Sequence, residues 1–278
     1  MTATTADGYV LGRTPQEYER LRQQARIWEG ATASLLDRTS VGPGSRCLDV
    51  GCGPGETMRL MAERVGPTGT VVGLDTDADI GRAAVMSLQA AGFDQCTFVE
   101  GDVADPDAFA FPDVFQLVFG RLILLHVADP VAVLRRMWAA TAPGGHLVVQ
   151  DYDLRAVDCY PPLPVVEEWR RVFLGTFTAV GRDIRLGHRL PGLFAEAGVG
   201  APDGTEVVGR LEPFASAAGM LAATYRSVSP AAVAKGIVSE DQRDRWLADL
   251  SETARTHGHH QTYWPLMVGA YKRRDPGA

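Results

Sequence analysis

Three glycines within five residues mark the chain's best candidate for chemistry. The run Leu48-Asp49-Val50-Gly51-Cys52-Gly53-Pro54-Gly55-Glu56 joins a short apolar stretch to an amphipathic one. Glycine at 51, 53 and 55 lets the backbone turn sharply and lets a ligand approach with no Cβ in the way. At the carboxyl end of a parallel strand, such a loop is where open α/β sheets bind nucleotide-like molecules. Spacing narrows the choice. A dinucleotide fingerprint requires glycine where this chain has Glu56, and a carboxylate opposes a pyrophosphate at a helix N-terminus. A phosphate loop requires Gly-Lys-Ser/Thr, and Glu56-Thr57 supplies no lysine. A ligand without phosphates that carries a sulfonium and an ammonium instead meets Asp49 as a favourable charge.

Those residues need elements to position them. Between residues 46 and 151, short apolar runs alternate with amphipathic stretches, which predicts successive βα units on a parallel sheet. Strands are expected at 46–50, 70–75, 97–100, 114–120 and 146–151. Met58, Met61 and Val65 mark one intervening helix, Ile80, Ala84 and Leu88 a second, and Val131, Leu134 and Trp138 a third. Ahead of the sheet, Tyr18, Leu21, Ala25 and Trp28 predict one helix over 15–36, with Thr14 as N-cap and Pro15 at its first position. Beyond Asp151, Pro161, Pro162 and Pro164 break the chain before a helix expected at 165–180, read as a lid. A helix over 190–197 stopped by Gly198, a strand at 205–211, helices at 215–228 and 240–257, and a last strand at 263–272 complete the pattern.

The 278 residues suffice for one α/β domain with lids, and a net charge of -7 argues against a broad nonspecific grip on nucleic acid. The four cysteines form no Cys-x-x-Cys pair, so reduced thiols and a cytoplasmic location are expected. The first residues lack a basic segment followed by an apolar one, and no run approaches the roughly 18 to 20 apolar residues needed to span a bilayer, so neither export nor a membrane partner is expected.

Over about residues 9–199 the chain resembles the class I S-adenosylmethionine-dependent methyltransferases, in particular small-molecule enzymes related to the quinone-biosynthesis type. Several motifs carry the resemblance in order: Asp49 to Gly55, Gly73-Leu74-Asp75, Gly101-Asp102-Val103, Phe115 to Val127, and Pro143-Gly144-Gly145. The resemblance implies a Rossmann-like doubly wound α/β fold, with a mostly parallel seven-stranded sheet, a C-terminal antiparallel hairpin and helical lid insertions. It implies S-adenosylmethionine as cofactor, held by Asp49, Gly51, Cys52, Gly53, Gly55, Asp75, Thr76, Asp102, Val103 and Arg121. Asp75 would accept hydrogen bonds from the ribose hydroxyls and Asp102 from the adenine amine. Residues 1–40 look like the family's helical cofactor cover, in which Tyr9 packs over the sulfonium and Arg22 pairs with the cofactor carboxylate. Tyr18 and Trp28 are assigned to packing against the sheet. Residues 41–278 form the methyltransferase domain, with lid insertions near 153–183 and 212–260. The family usually has an acidic residue at Gln116, near the middle of the fourth strand.

Methyl transfer is an in-line displacement whose rate comes largely from holding donor and acceptor together, so a base is optional. His126, Asp151 and Tyr152 are the catalytic candidates, against a capping role for His126 and for the carboxylate. His259 and His260 are candidate substrate contacts, against a polar loop; their spacing with His257 matches no metal pattern. Trp169, Phe173, Phe177, Met220, Tyr225 and Trp246 read more readily as core than as acceptor contacts. The leading function is methylation of a small-molecule acceptor by a monomer or homodimer. The alternatives are an RNA or protein methyltransferase, or a non-methylating protein that uses the cofactor structurally or electrostatically. The segment Gly120-Arg121-Leu122-Ile123 supplies no Asn-Pro-Pro-Tyr/Phe-type motif, which weakens base methylation.

Overall fold

A computed structural model describes residues 11, 14–111 and 113–277. Helix α1 (Pro15–Ile27) begins where Thr14 accepts the Glu17 N–H, with Pro15 at its first position. The chain leaves helical geometry at Trp28 (φ -105°, ψ 8°) before α2 (Glu29–Leu36), so the one helix expected over 15–36 is two. The break buries Trp28 to 2% exposure and aims its indole N–H at the Tyr152 hydroxyl, 2.6 Å away.

The alternating units then follow: β1 (Arg46–Val50), α3 (Glu56–Val65), β2 (Thr70–Asp75), α4 (Ala78–Ala90), β3 (Cys96–Glu100), β4 (Phe115–Arg121), α5 (Pro130–Ala140) and β5 (Thr141–Asp153). Next come β6 (Asp158–Tyr160), α6 (Pro164–Ala179), α7 (Leu186–Glu196), β7 (Gly204–Val208), β8 (Leu211–Pro213), α8 (Phe214–Ala234), α9 (Glu240–His257), β9 (Gln261–Tyr263) and β10 (Leu266–Arg273).

The main sheet has seven strands in the order β3-β2-β1-β4-β5-β10-β7. Strands β1 to β5 pair in parallel, and β10 runs antiparallel to both β5 and β7. This is the Rossmann-like α/β fold, with its antiparallel strand last in the chain. Central β1 is covered on both faces, and alternation divides its side chains. Leu48 and Val50 join the core cluster that holds Phe115 and Leu134, whereas Cys47 joins the one that holds Met58, Met61 and Phe119. Gln116 stands second in β4, not near its middle, and its amide oxygen accepts the Arg46 N–H at 2.8 Å.

A second, antiparallel sheet, β6-β9-β8, was not legible as such. The strands expected at 205–211 and 263–272 each split, giving one piece to each sheet. Thr262 of β9 stands opposite both Cys159 and Glu212, which ties the segment after β5 to the segment between β7 and β10. Helix α6 packs on α8 and α8 on α9, and the Trp169 indole N–H donates to the Leu221 carbonyl and Thr224 hydroxyl. Helix α8 extends past the expected end at 228 to Ala234 and carries Pro230 within it.

Candidate active site

The glycine-rich loop is pinned to the neighbouring strand. The N–H groups of Gly51 and Cys52 donate to the Leu74 carbonyl, and the Gly53 N–H donates to Asp75 Oδ2 at 2.9 Å. Gly51 has φ 72°, and a Cβ there would lie 2.8 Å from Ile123 Cδ1, so both backbone and space call for glycine. Asp75 Oδ1 accepts the Asp77 N–H, and Asp77, the cap of α4, accepts the Tyr18 hydroxyl at 2.6 Å. Each carboxylate oxygen offers more than one acceptor direction, so a carboxylate that takes backbone N–H groups can also take a ligand hydroxyl.

A cavity of about 230 Å³ opens over the carboxyl ends of these strands, beneath α1. Gly51, Gly53, Asp75, Thr76, Asp102 and Val103 line its polar end, together with Cys52 and Arg121. Trp169, Phe173 and Phe177 from α6 and Met220 and Leu221 from α8 line the apolar end. The α6 rings form a ladder with centroids 4.4 Å and then 4.9 Å apart. Tyr225 and Trp246 stack on one another outside the cavity, as core.

Arg121 ends β4. Its Nη1 donates to the buried Thr32 hydroxyl at 3.0 Å, and that hydroxyl donates to Gln150 Oε1 at 2.8 Å. Burial draws the Arg121 pKa down, and the Asp49 charge opposes the shift. Asp49 itself lies behind the loop rather than on the cavity wall, at 1% exposure. Its carboxyl is pushed up to about 7 by burial; Arg121 pulls it back and Asp75 pushes it further. Among the described residues, its Oδ2 has no hydrogen-bond partner.

His126 lies in a 3-10 turn after β4 and lines the cavity. Burial, reinforced by Arg20 and Arg182, holds its imidazole down at about 3, so it is neutral at neutral pH. Tyr152 lines the cavity from β5; its oxygen accepts from Trp28 and Gln24, and burial raises its phenol to about 12. Trp28 and Tyr18 line the cavity as well, rather than serving only as packing.

Several expected contacts lie elsewhere. Asp151 is fully buried off the cavity, accepting the Leu125 and Tyr152 N–H groups at 3.1 and 2.9 Å, so it braces the turn after β4 and reaches no acceptor. Arg22 projects outward, 3.6 Å from Glu19, with a side chain 40% exposed. The α1 arginine in the cavity is Arg20, 3% exposed and bidentate with Glu17 at 2.8 and 2.6 Å. Helical spacing carried that signal, since Arg20, Gln24 and Trp28 recur at i, i+4 and i+8 while Arg22 falls outside that face. His259 and His260 also lie off the cavity; His260 Nδ1 meets the Pro161 carbonyl at 2.8 Å, and the two rings contact edge to face. Thr262, Tyr263 and Trp264, just after them, line it instead. Gly55 (φ 81°) starts α3, and a Cβ there would lie 2.9 Å from Ala84 Cβ, so it shapes the loop without facing the cavity. Tyr9 lies outside the described residues. Leu122, with φ 55°, is a cavity residue the sequence did not disclose. For a side chain with a Cβ that conformation costs roughly 1 to 2 kcal/mol.

The donor set fits a cationic nucleoside. Asp75 and Asp102 face the polar end, Asp49 offers an oxygen behind it that has no hydrogen-bond partner among the described residues, and Arg121 is suited to a carboxylate. Among the described residues, no three His, Cys, Asp or Glu side chains group to hold a metal, and no helix is long and apolar enough to cross a membrane.

Comparison with known proteins matches residues 42–185 to a methyltransferase domain family. A 37.1 kDa uncharacterised protein of transposon Tn4556 from Streptomyces fradiae is 28% identical over 220 residues, covering 78% of this chain and 61% of that protein. The demethylmenaquinone methyltransferase of Anoxybacillus flavithermus is 33% identical over 114 residues, covering 41% of this chain and 47% of the relative. The chain thus spans less than two thirds of either relative's length. The structure of a protein assigned as a methyltransferase from Bacillus halodurans superposes with a TM-score of 0.56 at 16% identity, covering 88% of this chain and 98% of that one, a likeness of fold.

Proposed function

The chain belongs to the methyltransferase domain family, as a class I S-adenosylmethionine-dependent member, and from that premise we propose that it methylates a small molecule seated at the apolar end of its cavity. The division of one cavity into a polar end at the strand termini and an aromatic end under α6 and α8 carries this reading. Bound at the polar end, S-adenosylmethionine supplies an electrophilic methyl group. Asp75 accepts from the ribose hydroxyls, Asp102 accepts from the adenine amine, and Arg121 pairs with the carboxylate. The charge of Asp49 behind the loop favours the cationic end. Gly51, Cys52, Gly53, Thr76 and Val103 give the close wall, and Gly55 shapes the turn that presents it.

Enclosure does the rest. Helices α1, α6 and α8 exclude water, so acceptor and donor are held at reacting distance in a dry site. The same enclosure favours a small acceptor over RNA or a folded protein. His126 and Tyr152 line the same cavity, which supports for them a role in orienting the acceptor by hydrogen bonding. The test is incubation of the purified protein with S-adenosylmethionine and a panel of small acceptors, with S-adenosylhomocysteine release as the readout. Acceptor-dependent release supports the reading. Binding of the cofactor without release across a broad panel favours the structural or electrostatic role.

A further inference from the structure

We infer that Tyr152 meets the methyl acceptor as a hydrogen-bond donor and in no other capacity, so the acceptor presents to it an atom with a free lone pair: a carbonyl, carboxylate or hydroxyl oxygen, or an unprotonated nitrogen. The inference rests on the methyltransferase reading above and concerns the same cavity. A phenol has one O–H to donate and an oxygen to accept with. The accepting side of Tyr152 is filled from α1. The Trp28 indole N–H, which can only donate, reaches the oxygen at 2.6 Å, and the Gln24 amide N–H reaches it at 3.0 Å. The far end of Gln24 fixes the sense of that second bond. Gln24 Oε1 accepts from Arg20 Nη1 at 3.2 Å, and turning the amide over would set its NH2 group against a guanidinium that has only donors. What Tyr152 has left to place is its proton.

Among the described residues, nothing accepts that proton. The charged groups whose fields reach the phenol are Arg20 and Arg121, and a guanidinium donates without accepting. Glu17, the carboxylate that α1 contributes to the cavity wall, accepts from Arg20 and Ser227 instead. Burial pushes the phenol up to about 12, so its proton stays in place at neutral pH. Tyr152 is 6% exposed, and it lines the cavity together with Trp28 and Gln24. A buried donor without a partner is costly, and a bound molecule with a lone pair at this point removes the cost.

Strand order places this atom on the acceptor rather than the cofactor. Asp102 follows β3, Asp75 ends β2, the glycine loop follows β1 and Arg121 ends β4, so the proposed cofactor contacts step across the sheet in its spatial order. Tyr152, near the end of β5, stands one strand farther from the adenine end than Arg121. A protonated amine brings N–H groups alone, which oppose the O–H and find the oxygen already occupied. The same occupancy makes Tyr152 a positioning donor and not a general base, since its oxygen has no place for an incoming proton.

The probes are rings of similar size, cyclohexanone, methylenecyclohexane and cyclohexylammonium, each titrated into wild-type protein saturated with S-adenosylhomocysteine. Infrared difference spectra of bound cyclohexanone are expected to show the carbonyl stretch below its value in cyclohexane solvent. Tyr152→Phe, with folding checked by circular dichroism, returns the stretch to that value. The variant weakens cyclohexanone about fivefold, the worth of one hydrogen bond, and leaves the affinities for methylenecyclohexane and S-adenosylhomocysteine unchanged. Cyclohexylammonium binds wild type at least tenfold more weakly than the ketone. A ketone that does not bind, binds with its stretch unshifted or is matched by the ammonium overturns the proposal, and the wild-type protein alone decides this. A shift that persists in the folded variant also overturns it. Loss of S-adenosylhomocysteine affinity in Tyr152→Phe, with the ketone unshifted in wild type, gives the donor to the cofactor carboxylate instead and refutes the proposal. Failure of S-adenosylhomocysteine to bind wild type overturns the underlying reading first, and the proposal with it.

Discussion

Replacing Thr32 by valine keeps shape and removes one hydroxyl from the base of the site. Thr32 is fully buried, and its oxygen links Arg121 Nη1 at 3.0 Å to Gln150 Oε1 at 2.8 Å. The substitution strands a guanidinium N–H and an amide oxygen at once. A buried polar group left without its partner costs about 1 to 3 kcal/mol, so about 3 kcal/mol is expected for the pair. Unfolding entropy scales at roughly 2 cal/mol/K per residue, which over 278 residues translates that loss into a fall in Tm of about 5 °C. Arg121 also loses the contact that aims it along the cavity wall, and a misaligned charge-assisted bond to the cofactor carboxylate weakens binding by about tenfold. The assay is isothermal titration with S-adenosylhomocysteine beside thermal melting, with Thr32→Ser as the control that retains the hydroxyl. If Thr32→Val melts lower yet binds S-adenosylhomocysteine as tightly as wild type, Arg121 does not hold the cofactor carboxylate and that assignment is wrong.

Other consequences are independent of that one. Because burial holds the Asp49 carboxyl at about 7, its charge appears only as pH rises through neutrality, so S-adenosylmethionine affinity should increase from pH 6 to 8. Asp49→Asn should flatten that profile in calorimetric titrations. Asp151 is likewise held at about 7 against an unfolded value near 3.8, so the folded state binds the proton more tightly. Its contribution to stability is therefore greatest in acid and is lost as pH climbs from about 4 to 7, and Asp151→Asn should make the urea midpoint less pH-dependent across that window. Gly187→Ala should destabilise by about 3 kcal/mol, read by urea unfolding, since its Cβ would meet the Asp151 carbonyl at 2.7 Å and the Asp153 nitrogen at 2.9 Å, backbone atoms that cannot yield. His259→Ala and His260→Ala should leave kcat/KM for any acceptor unchanged, because neither ring reaches the cavity.

The sheet was legible wherever local pattern and burial agree. Strands β1 and β2 fall on the expected residues because both are apolar runs bounded by turns, and the glycine loop follows from its own backbone demands. The cap at Thr14 and the Glu240–His257 helix, with its Ser239–Gln242 capping box, were equally local. What escaped was tertiary. The break at Trp28 is set by a hydrogen bond to Tyr152, which is 124 residues away. The small sheet unites three-residue strands too short to show a period, and only pairing across distant segments makes them strands. At the site, charge and position suggested Arg22 and the paired histidines, whereas the fold turned them outward. Arg20 could have been found from the helical face it shares with Gln24 and Trp28. The retirement of Asp151 into backbone bonding could not, because alternation along β5 says which residues share a face but not which face meets the cavity.

The central claim is that the polar end of this cavity holds S-adenosylmethionine through Asp75. The direct measurement is calorimetric titration of the wild-type protein and Asp75→Ala with S-adenosylmethionine, S-adenosylhomocysteine and NADH. Saturable one-site binding of both sulfur ligands to wild type is expected, with none of NADH, and a loss of affinity of at least a hundredfold in Asp75→Ala while its circular dichroism is unchanged. Undiminished binding of the sulfur ligands to a folded Asp75→Ala, or binding of NADH in their place, would contradict it.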